Sequence, residues 1–198
     1  GEYSPKFAAH FDSVYLNAKL FERIKSLHKN RETLGLDAQG VRLIERYYTD
    51  FMRSGANLTD AQKTRVKAIN SELATLSTQF SQNVLAEVND SAIIVSDRAE
   101  LAGLSDEQIA GFAESAKEKN MPGKYRIALV NTTIQPILPQ LDNRALRERI
   151  HKASVARGAR GNEWDNRAIV SKVTKLRAER AAIMGYPSYA AFSMAEET

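Results

Sequence analysis

The feature that most constrains this chain is one long apolar stripe. Val66, Ile69, Leu73, Leu76, Phe80, Val84 and Val88 follow one another at steps of three and four residues. That spacing places them on one side of an α-helix. Thr59 with Gln62 three residues later forms a capping-box pattern at its start, since each side chain can serve a backbone N–H left open by the first turn. The helix so defined has roughly 30 residues and is about 45 Å long. An amphipathic helix of that length needs partners along its whole extent, and the two helices that precede it in sequence are the nearest candidates. A helical hairpin or bundle is therefore expected.

The first of those helices is expected at 12–28, on Val14, Phe21, Ile24 and Leu27. The second is expected at 37–55, between Asp37 as N-cap and Gly55 as a C-terminal stop. The middle of the chain differs. Ala92-Ile93-Ile94-Val95 and Tyr125-Arg126-Ile127-Ala128-Leu129-Val130 read as two short strands able to pair. Ser105 with Gln108 opens a helix between them, Met121-Pro122-Gly123 forms a turn, and Pro136 and Pro139 interrupt regular structure. Helices then resume. One follows a cap at Asp142 or Asn143, and another spans 162–184 and stops at Gly185. Ser188 caps a last one, whose Tyr189, Phe192 and Met194 are expected to lack a packing surface. The expected class is mainly α, a bundle of long antiparallel helices with a small two-stranded β element. Three segments divide it: a helical hairpin or bundle at 1–90, a mixed α/β segment at 91–141 and a helical segment at 142–198.

Composition narrows the chemistry. The 198 residues include no cysteine, so a disulfide scaffold, a thiol nucleophile and cysteine-liganded metal sites are excluded. No apolar run reaches the 18 residues of a membrane span. Residues 1–7 show no apolar signal-peptide core. The histidines are His10, His28 and His151. None begins His-Glu-x-x-His, so two imidazoles on one helical face for zinc are not available. Gly-x-Ser-x-Gly is also missing. The sequons at Asn57, Asn89 and Asn131 consist of residues already needed for caps and turns. No catalytic, cofactor-binding or metal-binding residue is assigned.

The charge is uneven. Between positions 142 and 180 stand 11 Lys or Arg against 5 Asp or Glu, a surplus of six, whereas the remainder carries a surplus of two acidic groups. Such a stretch can mark a phosphate-binding face. Within it, Arg157-Gly158-Ala159-Arg160-Gly161 reads more simply as a helix–helix connection with its arginines in solvent. Only Trp164 lies nearby for base stacking. Nucleic acid is thus the weaker reading of the basic segment, kept as an alternative in which the chain is a free-standing helical interaction module.

Several segments resemble a known family. Residues 124–140, including Asn131-Thr132-Thr133-Ile134-Gln135-Pro136, are similar to a segment of bacterial peptidyl-dipeptidases. The stretches 144–149, 153–157, 165–170 and 176–190 follow in the same order, and 17–24 and 70–80 match upstream. The family is the thimet oligopeptidase and neurolysin-like group of zinc metallopeptidases. The resemblance implies part of the neurolysin-like fold, in a chain that is an internal piece of the N-terminal helical half. In the family that half forms one wall of a deep channel admitting short peptides. The family's zinc site, His-Glu-x-x-His with a downstream Glu, is absent from these 198 residues. The implied cofactor is zinc in the intact parent and none in this chain. The implied partners are the catalytic half of the same polypeptide and short peptides, without a membrane. The piece alone is expected to be inactive and prone to self-association through uncovered apolar faces. A cytoplasmic location is expected, with the periplasm as the other option, and a naturally shortened scaffold is a further reading.

Overall fold

The computed structural model describes residues 2–195. It is mainly helical with one small antiparallel sheet. By compactness the chain separates into two units. One takes the residues up to Gln79 together with those from Ile169 onward, and the other is Phe80–Ala168.

In the first unit, helices α1 (Tyr3–Tyr15) and α2 (Ala18–Asn30) replace the single helix expected at 12–28. The break has a local cause. Asn17 leaves helical geometry and its side chain accepts the Leu20 N–H at 3.0 Å, restarting the helix as an N-cap. Helix α3 (Ala38–Ser54) starts on Asp37, which accepts from the Gly40 N–H at 2.7 Å. It stops at Gly55, whose φ of +100° suits glycine. Phe21, Phe51 and Ala56 are buried together, with the Phe21 and Phe51 rings stacked 6.2 Å apart.

Helix α4 (Asp60–Asp90) has the expected capping box. The Thr59 N–H donates to Gln62 Oε1 at 3.1 Å, and the Gln62 N–H donates back to Thr59 Oγ1 at 3.4 Å. Its apolar partner is not the preceding pair of helices. Ile69 and Leu76 are buried with Ile169 and Leu176 of α8 (Arg167–Ile183), a helix distant in sequence. Arg65 and Glu179 join the same two helices in a two-pronged ion pair of 2.5 and 2.6 Å. After α8 comes Gly185, with φ +82°, and Ser188 caps α9 (Tyr189–Met194) by accepting the Ala191 N–H at 3.1 Å. Of the three apolar residues expected to be uncovered on it, Tyr189 and Met194 are exposed but Phe192 is buried.

The second unit has an aliphatic core. Strands β1 (Ile93–Val95) and β2 (Tyr125–Ile127) pair antiparallel, with Ile94 opposite Arg126. Helix α5 (Asp106–Lys117) carries the capping box of Ser105 and Gln108. Val95, Leu101, Ile109, Ile127, Leu129, Ile134, Ile137, Leu141, Leu146 and Ile150 form one buried cluster. Two of these, Ile134 and Ile137, lie on a helix where none was expected. Helix α6 (Asn131–Ile137) includes Pro136. A helix this short has few internal bonds for the proline to remove, and burial of its two isoleucines offsets that loss. Helix α7 (Arg144–Val155) starts at Asn143, which accepts from the Leu146 N–H. The segment leading into α7 packs on the turn before α5, where glycine is needed because a Cβ on Gly103 would stand 2.0 Å from the Gln140 carbonyl oxygen.

Candidate functional site

The histidines stay apart in role. His10 and His151 are exposed, while His28 stacks on Tyr48 with 4.0 Å between ring centroids. Among the described residues no three His, Asp or Glu side chains gather as a metal would require.

Two polar constellations do form, one in each unit. In Phe80–Ala168 the inward face of α4 is not the expected Phe80–Val84–Val88 line. Phe80 and Val84 are 39% and 41% exposed, whereas Asn83 and Glu87 are buried. Glu87, 3% exposed, accepts from Arg160 Nε at 2.7 Å and from the Gly158 N–H at 2.5 Å. Asn83 donates to Asn166 Oδ1 at 3.0 Å, and Asn166 donates to the Phe80 carbonyl at 3.3 Å. One helix face thus holds the loop between α7 and α8 through a set of polar contacts. A signal for this existed. Continuing the alternation of three and four from Phe80 leads to positions 83 and 87, which are polar and so fell outside an apolar pattern.

The loop corrects a second expectation. Arg157 is half-buried and Arg160 exposed, and both are hydrogen-bonded within the fold. Arg157 donates to the Leu129 carbonyl at 2.8 Å and to Asn131 Oδ1 at 2.9 Å, and Arg160 also donates to the Ala153 carbonyl. The helix expected from 162 begins only at Arg167, because local side-chain bonds compete with it. Asn162 accepts the Trp164 N–H, while Asp165 accepts the N–H groups of Gly161 and Arg167. The Arg167 side chain holds the Asp165 carboxyl well below the usual carboxylate range.

Much of the basic surplus is used inside the fold in this way. Arg147 donates to the carbonyls of Leu141 and Asp142, and Arg149 donates to that of Ile94. Lys172 pairs with Glu72 and Lys152 with Glu148. These groups have partners, although Lys152, Lys172 and Arg149 keep much of their side chains exposed.

In the other unit an open cleft of about 630 Å³ is lined by residues of α1, α3, α4, α8 and α9. Its chemistry comes from Asp12, Arg46, Arg53, Asn70, Arg180 and Phe192. Asn70 bridges two charges, donating to Asp12 Oδ1 at 2.8 Å and accepting from Arg180 Nη1 at 3.2 Å. The guanidinium carbons of Arg53 and Arg180 lie 4.6 and 5.2 Å from the centre of the same Phe192 ring. Arg53 also donates to the Phe192 carbonyl at 2.8 Å. Arg46 pairs with Asp50 at 3.1 Å. Burial pushes the Asp12 carboxyl up, against the hydrogen bond from Asn70. Burial likewise pushes Arg180 below the usual guanidinium range, and repulsion from Arg53 and Arg177 acts in the same direction. None of these residues was singled out as a site from the sequence, since they come from four separate stretches of chain.

Comparison with known proteins supplies what the geometry does not. Residues 137–198 match Peptidase family M3. The dipeptidyl carboxypeptidase of Escherichia coli is 39% identical over 196 residues, which is 99% of this chain and 29% of that protein. The probable cytosolic oligopeptidase A of Arabidopsis thaliana is 31% identical over 89% of this chain and 26% of its own length. The oligopeptidase A of Haemophilus influenzae is 30% identical over the same share of each. The chain therefore spans between a quarter and a third of the length of these three relatives.

Proposed function

We propose that this chain, whose sequence is related along its length to the M3-family peptidases, is the helical supporting part of a zinc-dependent peptidyl-dipeptidase. The observation that carries the reading is the 39% identity to a dipeptidyl carboxypeptidase over 99% of the chain. The intact enzyme would release dipeptides from the free C-termini of short peptides. Its zinc supplies Lewis-acid activation of the attacking water. The residues described here do not fit that ion, because the three histidines have separate environments and no acidic cluster accompanies them. No catalytic step is therefore assigned to them. Their share is to wall the substrate channel and to support the part of the polypeptide that carries the metal. A cytoplasmic location belongs to the same reading. No helix among the described residues is long and apolar enough to cross a membrane, and one relative is named as cytosolic.

Two measurements test the proposal. The longer polypeptide read from the source gene should release dipeptides from peptides with a free C-terminus, and a chelator should stop it. The 198-residue chain should show neither hydrolysis nor stoichiometric zinc binding. Chelator-sensitive cleavage by the chain alone would overturn its supporting role, and an inactive longer protein would overturn the enzyme reading.

The same reading accounts for the surface of α1. Tyr3, Phe7 and Phe11 follow one another at steps of four and are each more than half exposed. Such a stripe is a contact surface for further polypeptide. The chain alone should consequently self-associate, with a sedimentation coefficient that rises with concentration. Phe7→Glu with Phe11→Glu should abolish the rise. A concentration-independent monomer before substitution would count against it.

A further inference from the structure

We propose that the groove between Leu138 and the outer face of α7 binds a compact phosphate dianion, free or carried on a small ester. Leu138, Arg144, Arg147, Glu148, His151 and Lys152 line a space of about 500 Å³. Small-molecule sites usually fall at about 300–1,000 Å³. These cations belong to the basic surplus at 142–180, which the peptidase reading leaves without a use. Among the described residues Arg144 has no hydrogen-bond or ion-pair partner, and neither has His151. Arg147 is anchored through a single nitrogen. Its Nη1 donates to the Leu141 and Asp142 carbonyls, so Nε and Nη2 keep their N–H groups for a ligand. Lys152 stands 2.5 Å from Glu148 and offsets the one carboxylate in the groove. Three fixed positive charges against one negative leave a surplus of two. A phosphate monoester carries that charge above its second pKa of about 6. Two guanidinium forks can each take a pair of its oxygens, and the imidazole can donate a further N–H. A single carboxylate would match only half of the surplus. No aromatic ring lines the groove, so it offers no platform for stacking a base, and its apolar contact is Leu138. A small aliphatic ester therefore fits better than nucleic acid.

The 198-residue chain is titrated at constant ionic strength, well above pH 6, with glycerol 3-phosphate, inorganic phosphate, succinate and glycerol, and backbone amide shifts are followed by NMR. Glycerol 3-phosphate should move the signals of Arg144, Arg147, His151 and Lys152 and saturate, whereas glycerol should move none. Succinate, whose two charges stand apart, should bind about tenfold more weakly or worse. A tighter ester than inorganic phosphate assigns the site to an ester, equal affinities assign it to free phosphate, and both support the dianion. Arg144→Met removes an exposed side chain without a partner, so the fold should survive while affinity falls about tenfold. Arg144→Lys should recover part of that loss, because it restores the charge without the fork. Lys175→Met removes the same charge outside the groove and should leave the affinity unchanged. Should a melting curve show Arg144→Met unfolded, Lys152→Met replaces it, with a loss at least as large expected because Glu148 then stands unopposed. Succinate as tight as phosphate, equal losses from Lys175→Met and Arg144→Met, or no saturable shift at these residues would each overturn the site. None of these outcomes bears on the peptidase reading, which is tested by hydrolysis.

Discussion

Helix α4 meets two kinds of neighbour, and the change falls near Phe80. Up to Leu76 it buries aliphatic side chains against Ile169 and Leu176. Beyond Phe80 it buries Asn83 and Glu87 against a loop. The first arrangement tolerates adjustment, because apolar contact has no direction. The second does not, because a buried carboxylate is stable only with its donors in place. A single helix therefore contributes a seam whose energy comes from area and a node whose energy comes from geometry.

The sharpest way to break this comparison is to remove Glu87. Glu87→Ala leaves Arg160 and the Gly158 N–H facing a void, and breaking a buried pair from one side costs about 3–5 kcal/mol. Urea unfolding followed by the fluorescence of Trp164, the single tryptophan, should show the loss. Combining Glu87→Leu with Arg160→Met should recover most of it, since replacing both partners by apolar groups is often neutral. A double variant as unstable as Glu87→Ala would mean that the Gly158 bond, not the ion pair, carries the energy.

On the seam, Ile69→Ala deletes a fully buried side chain and should cost about 2–5 kcal/mol. Here no second substitution by a polar partner should rescue. A smaller loss, about 1–3 kcal/mol, is expected for Asn83→Ala, which leaves the Asn166 side-chain oxygen without the donor it now has. If Asn83→Ala cost more than Ile69→Ala, the division of α4 into an area-driven and a geometry-driven half would be wrong.

What was legible in the sequence follows the same division. Ends of helices read well, because one side chain meets one backbone group close by. Asp37, Thr59 with Gln62, Ser105 with Gln108, Asn143 and Ser188 all cap as their spacing implies. The resemblance also read well, through segments such as 131–136 and 176–190, and the similarity to peptidases agrees. The break at Asn17 was hidden because Val14 and Phe21 are seven residues apart, so helical periodicity runs through it. The node at Glu87 was hidden because its partners lie about 70 residues away and because an apolar pattern cannot register a polar residue that turns inward. The cleft was hidden for a related reason. Phe192 gathers Arg53 and Arg180, and nothing local in the sequence brings those three together.

The finest test of the contrast between the two units is their response to acid, and it turns on Asp12 and Asp165. Asp12 is pushed up by burial, so the folded state holds its proton more tightly than the unfolded chain does. Stability from this group is fully present below the ordinary carboxylate pKa near 4 and is lost as the pH rises through the raised value. Asp165 is held down by the Arg167 side chain first and by the N–H groups of Arg167 and Gly161 after it. Its contribution is present above the ordinary pKa and is lost as the pH falls through the lowered value. The two substitutions should therefore act with opposite sign. Asp12→Asn should raise neutral-pH stability relative to stability at acid pH, with the Asn70 contact kept through the new amide oxygen. Asp165→Asn should lower neutral-pH stability and flatten the loss below about pH 4. The Arg167 side chain that pairs with Asp165 is largely exposed, so solvent screens the ion pair and its effect should shrink in high salt. Melting temperatures of both variants between pH 3 and 7 decide it. Shifts of the same sign would show that the carboxylates of the two units do not differ in the way their surroundings imply.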